Sequence, residues 1–221
     1  MPEPPPPPPR RRTQAERTAE TRSKLIEATI ECLIERGYGG TTTLAICEVA
    51  GVSHGSLLHH FGKREVVLGA ALEAVYARLR GKVVSAIEAL PEGETRVEAL
   101  VDLMWTGFGD REFKAVLELW VAAANQPDVS WAVLPEARAF DAAIAPLAEQ
   151  LFPELAERLP DFEVWVNLLF QTLQGMGLAT ATLPQTSEGG PDLHAQIRAL
   201  LTRLLVRAYT EAGPSGREGS R

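Results

Sequence analysis

The sequence predicts an all-α fold, and three observations carry this prediction. Apolar residues recur at three- and four-residue spacings through most of the 221 residues, as on one face of a helix. No segment shows the strict apolar–polar alternation of a half-buried strand. Helix-ending signals such as Arg36-Gly37 and Pro91-Glu92-Gly93 separate the periodic segments.

The N-terminal residues 1–17 are predicted to form a disordered tail. Prolines dominate this segment and Arg10-Arg11-Arg12 follows them, so it buries too little apolar surface to fold. From Thr18 the pattern becomes helical, and this first helix is expected to end at Arg36-Gly37. Residues 213–221 are expected to form a second disordered tail.

Residues 41–61 predict two short helices joined by a tight turn. Thr42 or Thr43 caps the first, which runs to Ala50. Gly51 tolerates the positive φ of the turn, and Ser53 is a strong N-cap for the second helix. The second helix turns Leu57 and Phe61 inward, at a four-residue spacing. The residues left on its other faces are small or polar: His54, Gly55, Ser56 and His59.

Further helices are predicted along the rest of the chain, with a polar loop at 185–190. A long amphipathic helix begins at Gly62 and runs to Arg80, with an extension to Leu90 left open. Pro135 and Pro146 are expected to interrupt or bend the helix that contains them. The remaining helices are expected at 95–108, 111–125, 128–152, 161–183 and 191–212.

The charge is distributed unevenly along the chain, whose net charge is −7. Residues 10–66 hold nine Lys/Arg and seven Asp/Glu, a net of +2, whereas residues 67–221 hold thirteen and twenty-one, a net of −8. Together with the two short helices, this asymmetry predicts a DNA-facing helix-turn-helix at one end and a separate acidic body.

The segment from about residue 18 to 70 resembles the TetR (tetracycline repressor) family in many positions and in register. The matching residues are Gly37-Tyr38, Thr42, Ile46, Ala50-Gly51-Val52-Ser53, Gly55, Leu57, His60-Phe61 and Arg64-Glu65. The resemblance implies a homodimer, a near-palindromic operator and a helical effector domain. It also implies a repressor that a small-molecule ligand releases from double-stranded DNA. The domains are then residues 18–66 for DNA binding and 67–212 for effector binding and dimerisation.

The resemblance also implies which residues contact DNA. Thr42, His59 and Arg64 correspond to phosphate contacts, and His54, Gly55 and Ser56 correspond to base-facing positions. Leu58 departs from the family, because many relatives have a tyrosine there that bonds a phosphate. The full expected DNA-binding set is Thr42, Thr43, Ser53, His54, Gly55, Ser56, Leu58, His59, His60, Lys63 and Arg64. The arginines of the N-terminal tail are either a further basic arm or a plain leader.

Large aromatics concentrate on the middle helices, and this pattern favours an apolar ligand pocket, with ordinary core packing as the alternative. Glu118 is expected to be an exposed ion-pair partner of Lys114, four residues before it. The expected pocket set is Met104, Trp105, Phe108, Phe113, Leu117, Trp120, Trp131, Phe140, Asn167 and Gln171. The two polar residues of this set could equally lie on a solvated face.

The last two helices are expected to form the dimer interface, because the resemblance implies a four-helix bundle between two copies. The last helix carries a broad apolar stripe. Gly175 and Gly177 favour close helix approach. The expected interface set is Gln174, Gly175, Leu193, Ile197, Leu201, Leu204 and Leu205.

Other functional classes find little support in the sequence. It lacks a Gly-rich phosphate loop, metal-ligand spacing and a nucleophile with a base near it, so we expect no enzyme, no metal and no cofactor. Cys32 and Cys47 lie in apolar patterns typical of buried thiols in a reducing cytoplasm, where we expect the protein to reside. No apolar stretch is long enough to span a membrane. A helical scaffold that does not bind DNA remains the rival from another class.

Overall fold

The computed structural model describes residues 13–91, 93–182 and 192–211, and in these residues every regular element is a helix, as the sequence predicts. There are ten in this part of the chain. They are α1 (Gln14–Gly40), α2 (Thr43–Ala50), α3 (His54–Phe61), α4 (Arg64–Glu88), α5 (Glu94–Phe108), α6 (Arg111–Asn125), α7 (Pro127–Leu151), α8 (Pro153–Arg158), α9 (Phe162–Thr182) and α10 (Leu193–Glu211).

Helix α1 begins four residues earlier than predicted, because a capping box fixes its first turn. The Thr13 backbone N–H donates to Glu16 Oε2 (2.6 Å), and the Glu16 N–H donates to Thr13 Oγ1 (3.1 Å). Residues 14–17 are therefore helical and not part of a disordered tail. The arginines at 10–12 and the two predicted segments 185–190 and 213–221 lie outside the described residues.

The four N-terminal helices share one apolar core. Its fully buried residues include Leu25 and Leu33 of α1, Ile46 of α2, Leu57 of α3 and Leu72 of α4. Helix α4 then continues into the body, where it packs on α7, while α1 packs on α6. The predicted domain boundary between residues 66 and 67 thus falls inside one continuous helix.

Helix α7 continues through both of its internal prolines, so neither of them interrupts it. These prolines remove the N–H partners of the Trp131 and Ala142 carbonyl groups, and both of these residues are exposed to solvent. Helix α4 approaches α7 very closely at Gly69, where a Cβ atom would lie 2.5 Å from the Ala132 carbonyl oxygen. The short helix α8 was not predicted from the sequence.

None of the helices in the described ranges has both the length and the apolar character that crossing a membrane requires.

Candidate functional site

The turn between α2 and α3 is built as the sequence predicts. The Thr42 hydroxyl accepts the Ala45 N–H (3.1 Å), and this bond caps α2. Gly51 ends α2 in the left-handed conformation, at φ 66° and ψ 35°. The Ser53 hydroxyl accepts the Ser56 N–H (3.2 Å) and caps α3. These local bonds fix the direction of α3 relative to α2. Helices α1 to α3 and the first turns of α4 are called the head below, and the remaining helices are called the body.

Helix α3 presents one side to the core and the other to solvent. Leu57 and Phe61 are buried, one turn apart. The predicted base-facing residues lie on the outward side: His54 and Gly55 are exposed and Ser56 is half-buried. The helix also exposes Leu58 and His59, while His60 is half-buried. An α-helix with its side chains is about 10–12 Å across, which fits a B-DNA major groove about 12 Å wide.

Neighbouring residues extend this outward surface on both sides of α3. Thr42, Ser53 and Lys63 are exposed, and Thr43 is half-buried. The Lys63 side chain makes no capping hydrogen bond at the start of α4. Leu44 is 70% exposed at the start of α2, and the sequence prediction had not included it. The outward surface formed by α3 and its neighbours is therefore mostly polar, and it includes two exposed leucines, Leu44 and Leu58.

Arg64 does not point freely outward, which differs from its expected role as a phosphate contact. Its Nη2 donates to the Tyr38 hydroxyl, and its guanidinium lies 4.8 Å from the centroid of the Tyr38 ring. Its Nη1 donates to the Thr41 carbonyl (3.5 Å), and its Nε lies 3.5 Å from the Glu65 carboxylate. The side chain is committed to the protein, so Arg64 braces the start of α4 against the end of α1.

Tyr38 joins three helices at this point. Its hydroxyl donates to Gln126 Oε1 (2.7 Å), and its backbone N–H donates to Glu118 Oε2 (2.8 Å). Tyr38, Arg64, Glu118 and Gln126 are called the Tyr38 junction below. The expected ion pair of Glu118 with Lys114 is wrong, because Lys114 Nζ donates to the Ile34 carbonyl instead (2.6 Å).

Ion pairs hold the other end of α6 against α1 and α4. Lys82 Nζ lies 2.9 Å from Asp110 Oδ2, and this hydrogen bond holds the pKa of the Asp110 carboxyl below its usual range. The further pairs are Arg78–Glu27 (2.6 Å), Arg78–Glu112 (2.5 Å), Arg111–Glu31 (3.1 Å) and Arg111–Glu35 (2.7 Å). The head therefore rests on α6 through polar contacts along the length of that helix.

Arg22 of α1 is a candidate DNA contact that the sequence reasoning missed. Its guanidinium lies 5.2 Å from the centroid of the Phe61 ring, at the end of α3, and the residue is exposed. The only sequence signal was an arginine on the outward side of α1. Arg22 lies more than thirty residues before α3 in the chain, so the sequence alone could not predict that the two lie close together.

A cavity of about 100 Å³ lies in the body, between α4, α5, α7 and α9. Of the sixteen residues that line it, fifteen have apolar side chains and the other is Arg80. Met104, Phe108 and Phe140 line it, as the sequence predicts. A smaller adjoining cavity is bordered by two more of the predicted residues, Phe113 and Trp120.

The remaining predicted pocket residues lie elsewhere. Leu117 is buried but borders neither cavity. Trp105 packs against α10, with its ring centroid 5.8 Å from that of His194. Trp131 is 52% exposed on the surface of α7. Large aromatic residues are poor guides to a pocket because they also cover helix junctions and surfaces.

Asn167 and Gln171 are exposed on α9 and do not line the cavity. The phase of α9 explains this correction: Val166, Leu169 and Phe170 face the cavity. Because successive helical residues are turned by about 100°, the two polar residues point away from it.

The predicted dimer residues divide between the surface and the interior. Leu193 and Leu204 are exposed, as is Gly175, while Gln174 is half-buried. Leu205 is only 4% exposed and belongs to the core of this chain, so its place in an interface is wrong.

Ile197 and Leu201 of α10 are half-buried against that same core, and α10 packs on α5. The apolar residues that α9 and α10 expose instead include Val164, Leu168, Leu178 and Leu200. Gly177 serves packing within the chain, since a Cβ there would lie 2.9 Å from the Phe113 ring.

Neither thiol belongs to a reactive site. Cys32 and Cys47 are buried, and burial raises the pKa of both, which keeps them protonated. Among the described residues, no group of three or more His, Cys, Asp or Glu side chains could hold a metal ion.

The chain has a capped helix-turn-helix and a helical body that contains an apolar cavity. This architecture is typical of regulators that bind DNA through one domain and a small molecule through another. Residues 25–71 match the family model for bacterial regulatory proteins of the tetR family. Residues 25–71 therefore form a helix-turn-helix domain of the TetR type, and relatives that share this segment are HTH-type transcriptional regulators.

Among curated relatives, the HTH-type transcriptional regulator CymR of Pseudomonas putida is 35% identical over 52% of this chain and 57% of its own length. BetI of Escherichia coli is 34% identical over 48% of this chain and 56% of its own length. The chain thus spans about half the length of these two relatives. A solved transcriptional regulator of Pseudomonas aeruginosa covers 90% of this chain and 99% of its own, with a TM-score of 0.65 at 24% identity, which extends the shared fold to the body.

Proposed function

We propose that this protein is a homodimeric repressor that binds a near-palindromic operator and leaves it when a small molecule fills the body cavity. The observation that carries the proposal is the orientation of α3. Its apolar residues Leu57 and Phe61 are buried, and its small and polar residues face outward. The geometry suits a recognition helix in the major groove.

Base contacts and phosphate contacts come from different residues in this proposal. His54, Gly55 and Ser56 read base edges, and the exposed Leu58 meets a thymine methyl group. Thr42, Thr43, Ser53, His59 and His60 contact the phosphate backbone around these positions. Lys63 and Arg22 supply the positive charges that the expected Arg64 contact leaves missing.

The exposed apolar residues of α9 and α10 support dimerisation with a second copy. Both helices pack on α5, and Thr180 Oγ1 lies 3.2 Å from His194 Nδ1, so the end of α9 meets the start of α10. Exposed leucines on both helices would be covered in a four-helix bundle. Two heads at a fixed spacing would then match two operator half-sites.

The cavity supports a small apolar effector. Similar folds bind small molecules: one structural relative was solved with imidazole and another, from Saccharomonospora viridis, with choline. The cavity lies between α4, α5, α7 and α9, and α4 runs from the head into this wall. A ligand that spreads these helices would change the spacing of the two heads. The protein would act in the cytoplasm.

The test is a mobility shift with DNA from upstream of its own gene. We expect a sequence-specific, salt-sensitive complex of one dimer per site, and derepression of a reporter when the gene is deleted. No specific shift with any upstream region would refute the proposal in favour of a helical scaffold that does not bind DNA. Increased reporter activity in the presence of the gene would show an activator instead.

Lys63→Ala should weaken binding to all DNA sequences alike, because Lys63 is proposed to contact a phosphate. Two contacts are lost per dimer, so the slope of log K against log salt should become shallower by about 2. Ser56→Ala should instead change the preference at one base position in each half-site. Arg138→Gln removes a charge from the exposed surface of α7 and should leave the slope unchanged. An unchanged slope for Lys63→Ala would remove this lysine from the interface.

A further inference from the structure

We infer that the effector is an amphiphilic carboxylate, with an apolar body in the cavity and a single negative charge held by Arg80. This inference rests on the proposed function, because it names the ligand class of the same cavity.

The walls of the cavity leave no place for a polar group in its interior. The lining residues other than Arg80 provide no hydroxyl, amide or carboxylate. Four phenylalanines contribute to the walls, Phe108, Phe140, Phe152 and Phe170, together with aliphatic side chains and Met104. A ligand group that needs a hydrogen bond would lose its water there without finding a partner. The buried part of the ligand is therefore hydrocarbon.

Polar side chains in the adjoining smaller cavity are already engaged. Trp120 Nε1 donates to the Tyr76 hydroxyl (3.0 Å), and burial raises the pKa of Tyr76 well above its usual range. Lys82 and Asp110 form an ion pair at 2.9 Å. These groups already satisfy each other's hydrogen bonds and charges, so they provide little attraction for a ligand headgroup.

Arg80 differs from the basic residues beside it on α4. Arg78 and Lys82 both form ion pairs, whereas Arg80 has neither a hydrogen bond nor an ion pair with any residue in the described ranges. It is exposed although it lines the cavity, so its stem covers apolar wall while its guanidinium reaches the solvent edge. An unpaired guanidinium at the edge of a hydrocarbon cavity matches a carboxylate, which it binds with two parallel hydrogen bonds.

A cationic ligand is the sharpest rival. Quaternary ammonium groups bind against aromatic faces, and the cavity has four phenylalanines. The single lining charge is positive, however, and no carboxylate lines the cavity to balance a second cation. The electrostatics therefore favour an anion. Choline is included among the test compounds because it represents the cationic alternative.

The experiment measures binding of hexanoate, hexan-1-ol and choline to the full-length protein by calorimetry. Hexanoate and hexan-1-ol share a chain length and differ in the charged headgroup. We expect hexanoate to bind about tenfold more tightly than hexan-1-ol, because a hydrogen bond to a charged group is worth about that factor. Choline should bind more weakly than either.

Three variants locate the effect. Arg80→Gln should bring hexanoate to the affinity of hexan-1-ol without changing the latter. Arg138→Gln, which removes an exposed arginine from α7 outside the cavity, should change neither. Ala148→Trp should fill the cavity and remove binding of both compounds. Its folding is checked by circular dichroism, and if it does not fold, Ile144→Phe replaces it.

Equal binding of hexanoate and hexan-1-ol overturns the inference, as does a hexanoate affinity unchanged by Arg80→Gln. Tighter binding of choline overturns it in favour of a cation. Absence of binding by all three compounds also overturns it. In each case the proposed function is judged separately by specific operator binding, which does not depend on these compounds.

Discussion

We expect Leu200→Asp combined with Leu204→Asp to convert the protein to monomers and to lower operator affinity by about a hundredfold or more. In a dimer, binding of one head holds the second head close to its half-site at a high effective concentration, and monomers lose this advantage. Both leucines are exposed on α10, so the single chain folds without burying them. In a four-helix interface the two aspartates would be desolvated beside their copies, at a high electrostatic cost. Light scattering measures the mass, and a mobility shift measures the affinity.

Val121→Asp is the matched control for this variant. Val121 is 62% exposed on α6, a helix that contributes no residue to the proposed interface, so the same chemical change should preserve the dimer and its affinity. A dimeric mass for the α10 double variant, with unchanged affinity, would move the interface to another surface. Leu205→Asp tests the phase of the helix: it should unfold the chain and not merely separate two copies, because Leu205 belongs to the core.

The features that the sequence predicted correctly depend on neighbouring residues. Thr42, Gly51 and Ser53 set helix ends through bonds to residues at most four positions away. Such signals can be recognised in short stretches of sequence. The burial of Leu57 and Phe61 could also be predicted locally, from their four-residue spacing. For the same reason the helix-turn-helix segment could be aligned with the TetR family without any structure.

The errors concern residues whose role depends on distant partners or on helix phase. Arg64 meets Tyr38, and Glu118 meets the Tyr38 N–H across 80 positions of the chain. The α10 stripe is broad, so neighbouring leucines such as Leu204 and Leu205 could not be assigned to opposite environments. A rotation of one residue, about 100°, exchanges core for surface. The structure supplies this phase, and the sequence pattern does not.

Gly37→Ala should lower the free energy of unfolding by about 1–3 kcal/mol, because φ 66° with ψ 179° is a conformation open essentially to glycine alone. A Cβ at this position would also lie 3.2 Å from Glu118 Oε2, the atom that accepts the Tyr38 N–H. The substitution therefore strains the backbone and pushes on the Tyr38 junction. Urea unfolding at a fixed protein concentration measures the loss.

Gly81→Ala provides a control of opposite sign. Gly81 lies inside α4 with open space where its Cβ would be, so alanine should stabilise the protein by about 0.5–1 kcal/mol. Gly37→Ala should also weaken operator binding, because the junction fixes the head on α6, whereas Gly81→Ala should not. If Gly37→Ala were as stable as the parent and bound the operator equally well, the non-helical backbone of Gly37 inside α1 would have no role in placing the head. The ion pairs of Arg78 and Arg111 would then position the head instead.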